Sequence, residues 1–260
     1  MGAQDISWFS LVWALCFLIP ILWISFKLEL ALNRAILISV ARMALQLGFV
    51  GIYLKYLFLW NLPWVNALYV LLMICVACGS ILKASQLKFT VFLPAVFFSM
   101  LIPFCICLLF FNRVIIGIDN LLDAKYFIPI GGMLLGNCLQ SIIIGLSRFY
   151  SGIKKEEKVY QYALTLYQSR LLALKPFFKD SVIAAINPIL ASMATIGLVA
   201  LPGMMTGQIL GGSVPMVAIK YQIAIMLFIF YIQFFGVILS ILFSIRSGFD
   251  PFDMLKQDIF

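Results

Sequence analysis

The sequence predicts an all-α, polytopic membrane protein with seven transmembrane helices in one domain over residues 1–260, and three observations carry that prediction. The composition is 64% hydrophobic and 11% charged, with a mean hydropathy of +1.11; a soluble domain carries roughly a quarter charged residues. Seven apolar runs reach the length of about 20 residues that a bilayer requires. Basic residues alternate between opposite sides of those runs, as loop charges do in membrane proteins. The same composition excludes a disordered chain and a nucleic-acid-binding module, both of which need polar surface.

The first run is Ile6 to Phe26 and holds no charge. It has no basic residue before it, is long for a signal-peptide core and has no A-x-A site after it, so it reads as a retained span. The second run, Ala35 to Leu59, carries Arg42 and Lys55. Leu62 to Leu82, Phe89 to Phe111 and Phe127 to Leu146 follow as the third, fourth and fifth. The sixth, Val182 to Leu201, holds Pro188 and is followed at once by Pro202; the seventh is Tyr221 to Ile245. One side of the spans collects Lys27, Arg34, Lys83, Lys88, Arg148, Lys154, Lys155, Lys158, Arg170, Lys175, Lys179, Arg246 and Lys256. The other collects Lys55, Arg113, Lys125 and Lys220. The basic side is the cytoplasmic one. The expectation is therefore a multi-pass protein of the cytoplasmic (inner) membrane, with the N-terminus outside and the C-terminus inside.

One loop, residues 148–180, is long enough to act in water, and it lies on the basic side. Tyr160, Leu164, Tyr167, Leu171, Leu174 and Phe178 recur at spacings of three and four, which predicts an apolar stripe on a helix over Lys154–Lys175. Pro176 should kink or end that helix. Such a helix can lie on the membrane surface or dock a cytoplasmic partner. The loop from Asn112 to Tyr126 on the other side is short.

Several kinds of chemistry are missing. Histidine is absent, which removes imidazole acid–base catalysis, Ser-His triads and His-ligated metals. There is no Gly-Lys pair and so no P-loop. The seven runs contain no Asp or Glu, so the carboxylate relay of proton-coupled transporters is lacking. The six cysteines all lie in apolar runs, which excludes a disulfide-stapled ectodomain. Cys75-x-x-Cys78 reads as packing rather than as a metal site.

The polar content of the spans is sparse. Arg42, with Gln46 one turn on, sits inside the second span as a structural polar pair; Arg42 can snorkel to the interface or find a buried partner. Gly132 and Gly136 form G-x-x-x-G, a spacing that lets helices approach closely in lipid. Asn137 and Gln140 either bond a neighbouring helix or line a path. After the sixth span come Pro202, Gly203, Met204, Met205, Thr206, Gly207 and Gln208. Pro202 breaks a helical ladder, and a break at membrane depth needs protein or a water-filled cavity around it. These seven residues, with Asn137 and Gln140, are the candidate translocation path or gate, against the alternative of a tight bend without a ligand. Met204 and Met205 are the candidate metal ligands, through thioethers; Thr206 and Gln208 add oxygens.

Arg42-x-x-x-Gln46-Leu47-x-x-x-Gly51, the stretch Ile128 to Asn137, the string from Gly197 to Leu210 and Pro215 with Tyr221-Gln222 resemble the FetB/YbbM family. These are permease subunits of ABC transporters linked to iron export, with plant relatives linked to aluminium tolerance. The resemblance covers nearly the whole chain. It departs from the family pattern at Gln161, Leu166-Tyr167 and Ala191. It implies a separate cytoplasmic ABC ATP-binding subunit, a second copy of the permease around a shared path, and ATP and magnesium on the partner with no cofactor on this chain. It also implies that the cytoplasmic loop is the coupling helix, with Tyr160, Leu164, Tyr167, Leu171 and Leu174 as its ATPase-coupling residues. The expected function is ATP-driven export of iron or another metal by a subunit with no ATPase site of its own. The rival expectations are a permease for an organic solute such as a sugar nucleotide, a passive channel and a non-transporting membrane scaffold.

Overall fold

The computed structural model describes residues 6–256; residues 1–5 and 257–260 of the expected domain lie outside that range. Among the described residues, seven helical segments are long and apolar enough to cross a membrane. The first span is split into α1 (Trp8–Leu15) and α2 (Leu18–Lys27). Pro20 has no N–H to offer the Cys16 carbonyl, and the Ile19 N–H takes that carbonyl instead at 3.1 Å. Then come α3 (Asn33–Trp60), α4 (Pro63–Ala84) and α5 (Phe89–Phe110), the last continuing as a π-helical turn over Phe111–Ile116. Gly117, at φ 74°, ends that turn. Next are α6 (Ala124–Lys155), α7 (Glu157–Tyr167), α8 (Arg170–Thr195), α9 (Gly203–Leu210) and α10 (Pro215–Gly248).

The centre is α5, α6 and α10, packed on one another, with α4 against α5 and α6 and with α8 against α6 and α10. Phe92, Met100, Phe104, Leu134, Ile142, Ile225 and Ile241 fill it. Helix α3 touches α2 and α6 and is exposed on all sides from residue 41 to 49. Cys75 faces outward while Cys78 is buried, so the C-x-x-C pair does not share a site.

Three expectations are corrected. The fifth span runs on to Lys155, well past Leu146. The sixth span is Arg170–Thr195 rather than 182–201: Pro176 lies inside α8, whose buried Ala173, Leu174, Ser181 and Ala185 hold the helix on its neighbours across the lost backbone bond. The single helix over Lys154–Lys175 is two helices. Gln168, at φ 47°, closes α7 with its N–H on the Leu164 carbonyl at 2.9 Å, and Ser169 is extended.

Close helix approach falls elsewhere than at Gly132 and Gly136. A Cβ on Gly136 would meet nothing within 4 Å and one on Gly132 only the Met73 methyl, at 3.2 Å. A Cβ on Gly145 would stand 2.8 Å from Val237 Cγ1, and one on Gly236 2.8 Å from Cys138 Sγ. These two glycines set the α6–α10 seam. Overpacking a tight contact costs about 1–3 kcal/mol. Gly236→Leu should therefore lower the thermal midpoint of the detergent-solubilised protein by several degrees, whereas Gly136→Ala leaves it unchanged. Equal effects of the two substitutions in a thermal scan would contradict this account of the seam.

Candidate functional site

Helix α8 stops at Thr195 because the next residue is extended, with ψ 135° at Ile196. A tight turn follows. Gly197, at φ 84°, donates its N–H to the Ala200 carbonyl at 2.9 Å, a conformation that L side chains resist. Pro202, itself extended, caps α9, and Gly212 at φ 98° turns the chain into α10. The sequence thus places a short helix, α9, between two breaks, packed against α10.

The break and α9 wall a cavity of about 240 Å³, completed by α6, α8 and α10. Its polar lining is Asn137, Ser192, Thr195 and Gln222, and its sulfur lining is Met133, Met204 and Met226. Gln222 is 93% buried, and its Oε1 has no hydrogen-bond partner. Asn137 Nδ2 donates to the Met133 carbonyl at 2.9 Å, while Gln233 Nε2 donates to the Asn137 carbonyl at 3.3 Å. Those bonds hold Asn137 to its helix and to α10. Thr195 Oγ1 donates back to the Ala191 carbonyl at 3.1 Å. No charged side chain lines the space, and no group of His, Cys, Asp or Glu among the described residues could hold a metal ion. A guest would meet neutral oxygen and thioether donors.

Four of the predicted path residues come together here: Asn137, Pro202, Gly203 and Met204. The others do not. Met205 and Gln208 are half-buried on α9, Thr206 and Gly207 are exposed, and Gln140 points out of α6. Thr206 Oγ1 bonds the Pro202 carbonyl at 3.1 Å. Sequence reasoning missed Met133, Ser192, Thr195, Gln222 and Met226; an amide within an apolar run was the available signal for Gln222. Arg42 is exposed on α3, and Gln46 borders a separate, largely apolar groove with Tyr53 and Tyr69.

At the far end of the bundle, α7 and the start of α8 carry the predicted coupling residues on two different faces. Tyr160 and Leu174 are buried in the chain's own body, and Leu164 packs against it. Tyr167 and Leu171 are exposed, together with Val159, Tyr162 and Leu166. The break at Gln168 separates what the periodicity had joined. Tyr160 Oη donates to the Asp253 carbonyl at 2.6 Å. Burial, aided by the nearby Asp253 carboxylate, pushes its phenol up to about 12, so it stays a donor at any physiological pH.

Seven apolar helices among the described residues, a helix broken beside an uncharged cavity and an exposed apolar ridge define a multi-pass membrane protein of the permease kind. The chain belongs to the family described as "Uncharacterised protein family (UPF0014)", which it matches over residues 8–249. It is 33% identical to "Probable iron export permease protein FetB" of Escherichia coli (strain K12), over 86% of this chain and 85% of that one. It is 31% identical to "UPF0014 membrane protein YjkA" of Bacillus subtilis (strain 168), over 84% and 86%. It is 28% identical to "Protein ALUMINUM SENSITIVE 3" of Arabidopsis thaliana, over 78% and 73%. No solved structure matches the chain.

An unpartnered buried amide oxygen costs about 1–3 kcal/mol. Gln222→Leu should therefore hold or raise the thermal midpoint in detergent while removing a donor from the cavity. A fall of several degrees would mean that Gln222 supports the fold rather than the cavity.

Proposed function

We propose that this chain is the permease subunit of an ABC transporter and exports iron or another metal across the cytoplasmic membrane, driven by a separate ATP-binding subunit. The observation that supports this most is the broken segment between α8 and α10. Irregular backbone at membrane depth persists where it lines a cavity, and this cavity offers donors rather than a filled core. The chain carries no P-loop, which fits a transport subunit whose free energy enters from a partner. Iron is favoured over other cargo by the name of the Escherichia coli relative.

The donor set suits a cation that must be released again. Thioethers favour soft and borderline ions over magnesium or calcium. Neutral amides and hydroxyls bind without losing a proton, so loading at this cavity is not tied to pH. Ser192 and Thr195, which line the cavity, are exposed on α8; a second copy placed against them closes a shared path.

The excess of basic residues in its loops supports a cytoplasmic α7. Its exposed Val159, Tyr162, Leu166 and Tyr167, with Leu171 at the start of α8, are then the surface on which the ATP-binding subunit sits, with ATP and magnesium held by that subunit. A ligand shifts a conformational equilibrium only by its differential affinity for the two states. ATP binding draws the two ridges together and rocks the spans, and the turn at Gly197 with Pro202 and Gly203 opens or closes the cavity.

Inverted vesicles containing both subunits should take up ferrous iron on addition of ATP, and vesicles with either subunit alone should not. Leu166→Asp with Leu171→Asp should abolish co-purification of the ATP-binding subunit while leaving membrane insertion intact. Uptake without nucleotide would make the chain a channel, and unchanged co-purification would remove the ridge as the docking surface.

A further inference from the structure

The C-terminal tail, residues 249–256, plays no part in the cavity or the exposed ridge, yet it is built as a closed hook. Phe249 is buried, and its backbone pairs with that of Leu255. Asp250 Oδ1 accepts the N–H groups of Phe252 and Met254 at 2.9 and 2.8 Å. The Lys256 N–H reaches the Gly248 carbonyl, and its Nζ the Ser247 carbonyl, both at 3.1 Å. Asp253 takes a left-handed φ of 61° at the tip.

The hook grips both sides of the α7–α8 break. Tyr160, on α7, donates its hydroxyl to the Asp253 carbonyl at 2.6 Å and lays its ring against Phe249, 5.9 Å between centroids. Arg170, the first residue of α8, places Nη1 2.9 Å from Asp253 Oδ1, and its guanidinium lies 6.0 Å from the centre of the Phe249 ring. The base of the hook is fixed as well, because a Cβ on Gly248 would stand 2.7 Å from the Tyr150 hydroxyl of α6. The hook ends α10, a helix of 34 residues, about 50 Å long at the usual rise. That same helix carries Gln222 and Met226 into the cavity.

We propose that the tail is a latch that transmits movement of the docking ridge to the cavity through α10, with Asp253, Arg170 and Tyr160 as positioning residues. The proposal rests on the reading of α7 as the docking element. Packed interfaces respond to load as units with discrete arrangements. With the latch closed, a shift of α7 carries the end of α10 with it, and so moves Gln222 and Met226 against α9. With the latch open, α7 moves on the Gln168–Ser169 joint alone.

The test uses the full chain in complex with its ATP-binding subunit, with Met204→Cys as a reporter at the cavity. Labelling of that cysteine by a maleimide is read by peptide mass spectrometry, with and without ATP and vanadate, so no cargo has to be known. The expected result is that nucleotide changes the labelling rate in the parent. Asp253→Asn or Arg170→Gln should cut that change about fivefold or more, a coupling of ordinary size, while ATP hydrolysis and co-purification persist. Arg170→Lys should keep most of the change. Hydrogen exchange supplies a second measurement on the same variants: amides of residues 157–167 should exchange faster, and those of residues 124–146 should not. An undiminished nucleotide response in Asp253→Asn and Arg170→Gln, or loosening of α6 together with α7, would overturn the latch. A parent whose labelling ignores nucleotide, or that binds no ATP-binding subunit, would instead overturn the transporter reading beneath it.

Discussion

A hydrocarbon layer offers no partner to a backbone N–H or C=O, and the rest of this structure depends on that constraint. It explains why the spans are helical, with the split between α1 and α2 bridged by local backbone bonds such as Ile19 N–H to the Cys16 carbonyl. It also makes the segment from Ile196 to Pro202 informative. There the i to i−4 ladder stops, and the turn meets part of its demand locally, through Gly197 and Leu198–Val199 bonding back to Ala200 and Thr195. Ile196, Ala200 and Pro202 of that segment stand at the cavity wall.

Cavity and ridge lie at opposite ends of the same long helices, and they differ in character. The cavity is uncharged and holds an orphaned amide oxygen, a combination suited to transient contact with a guest. The ridge is exposed and apolar, the kind of patch that marks a surface covered by a protein or a membrane. Between them, α6 and α10 are locked by the absence of side chains at Gly145 and Gly236. Tight seams of that kind transmit displacement instead of absorbing it. In this account, loosening the seam and loosening the docking end are different injuries: one lowers stability and the other separates nucleotide use from movement at Met204.

Much of the fold was legible in the sequence, for physical reasons that also mark where legibility ended. Apolar runs of membrane length have one stable solution, so seven spans could be read directly. The break at Pro202 could be read because proline changes the backbone itself; the turn at Gly197 could not, since the apolar run continues through it to Leu201. The end of α7 could not. Gln168 adopts a left-handed conformation that its side chain does not require, and the apolar period runs through it unbroken, so Tyr160 and Leu171 looked like one face. Glycine spacing misled in the same way. Gly132 and Gly136 have the familiar pattern, but close contact depends on what stands opposite, and Val237 and Cys138 stand opposite Gly145 and Gly236. Asn137 and Met204 were found as exceptions within apolar surroundings. Met133 and Met226 were not, since a methionine in an apolar run is ordinarily core.

The claim that most of this account rests on is that the α8–α9 break faces water held inside protein rather than lipid. Spin labels at residues 195 and 200, with controls at the outward-facing positions 76 and 106, measure it directly in reconstituted bilayers. The account predicts that a water-soluble nickel chelate relaxes the labels at 195 and 200 strongly and molecular oxygen relaxes them weakly, the reverse of the controls. If oxygen dominates at all four positions, the break lies against lipid and the cavity is not a path.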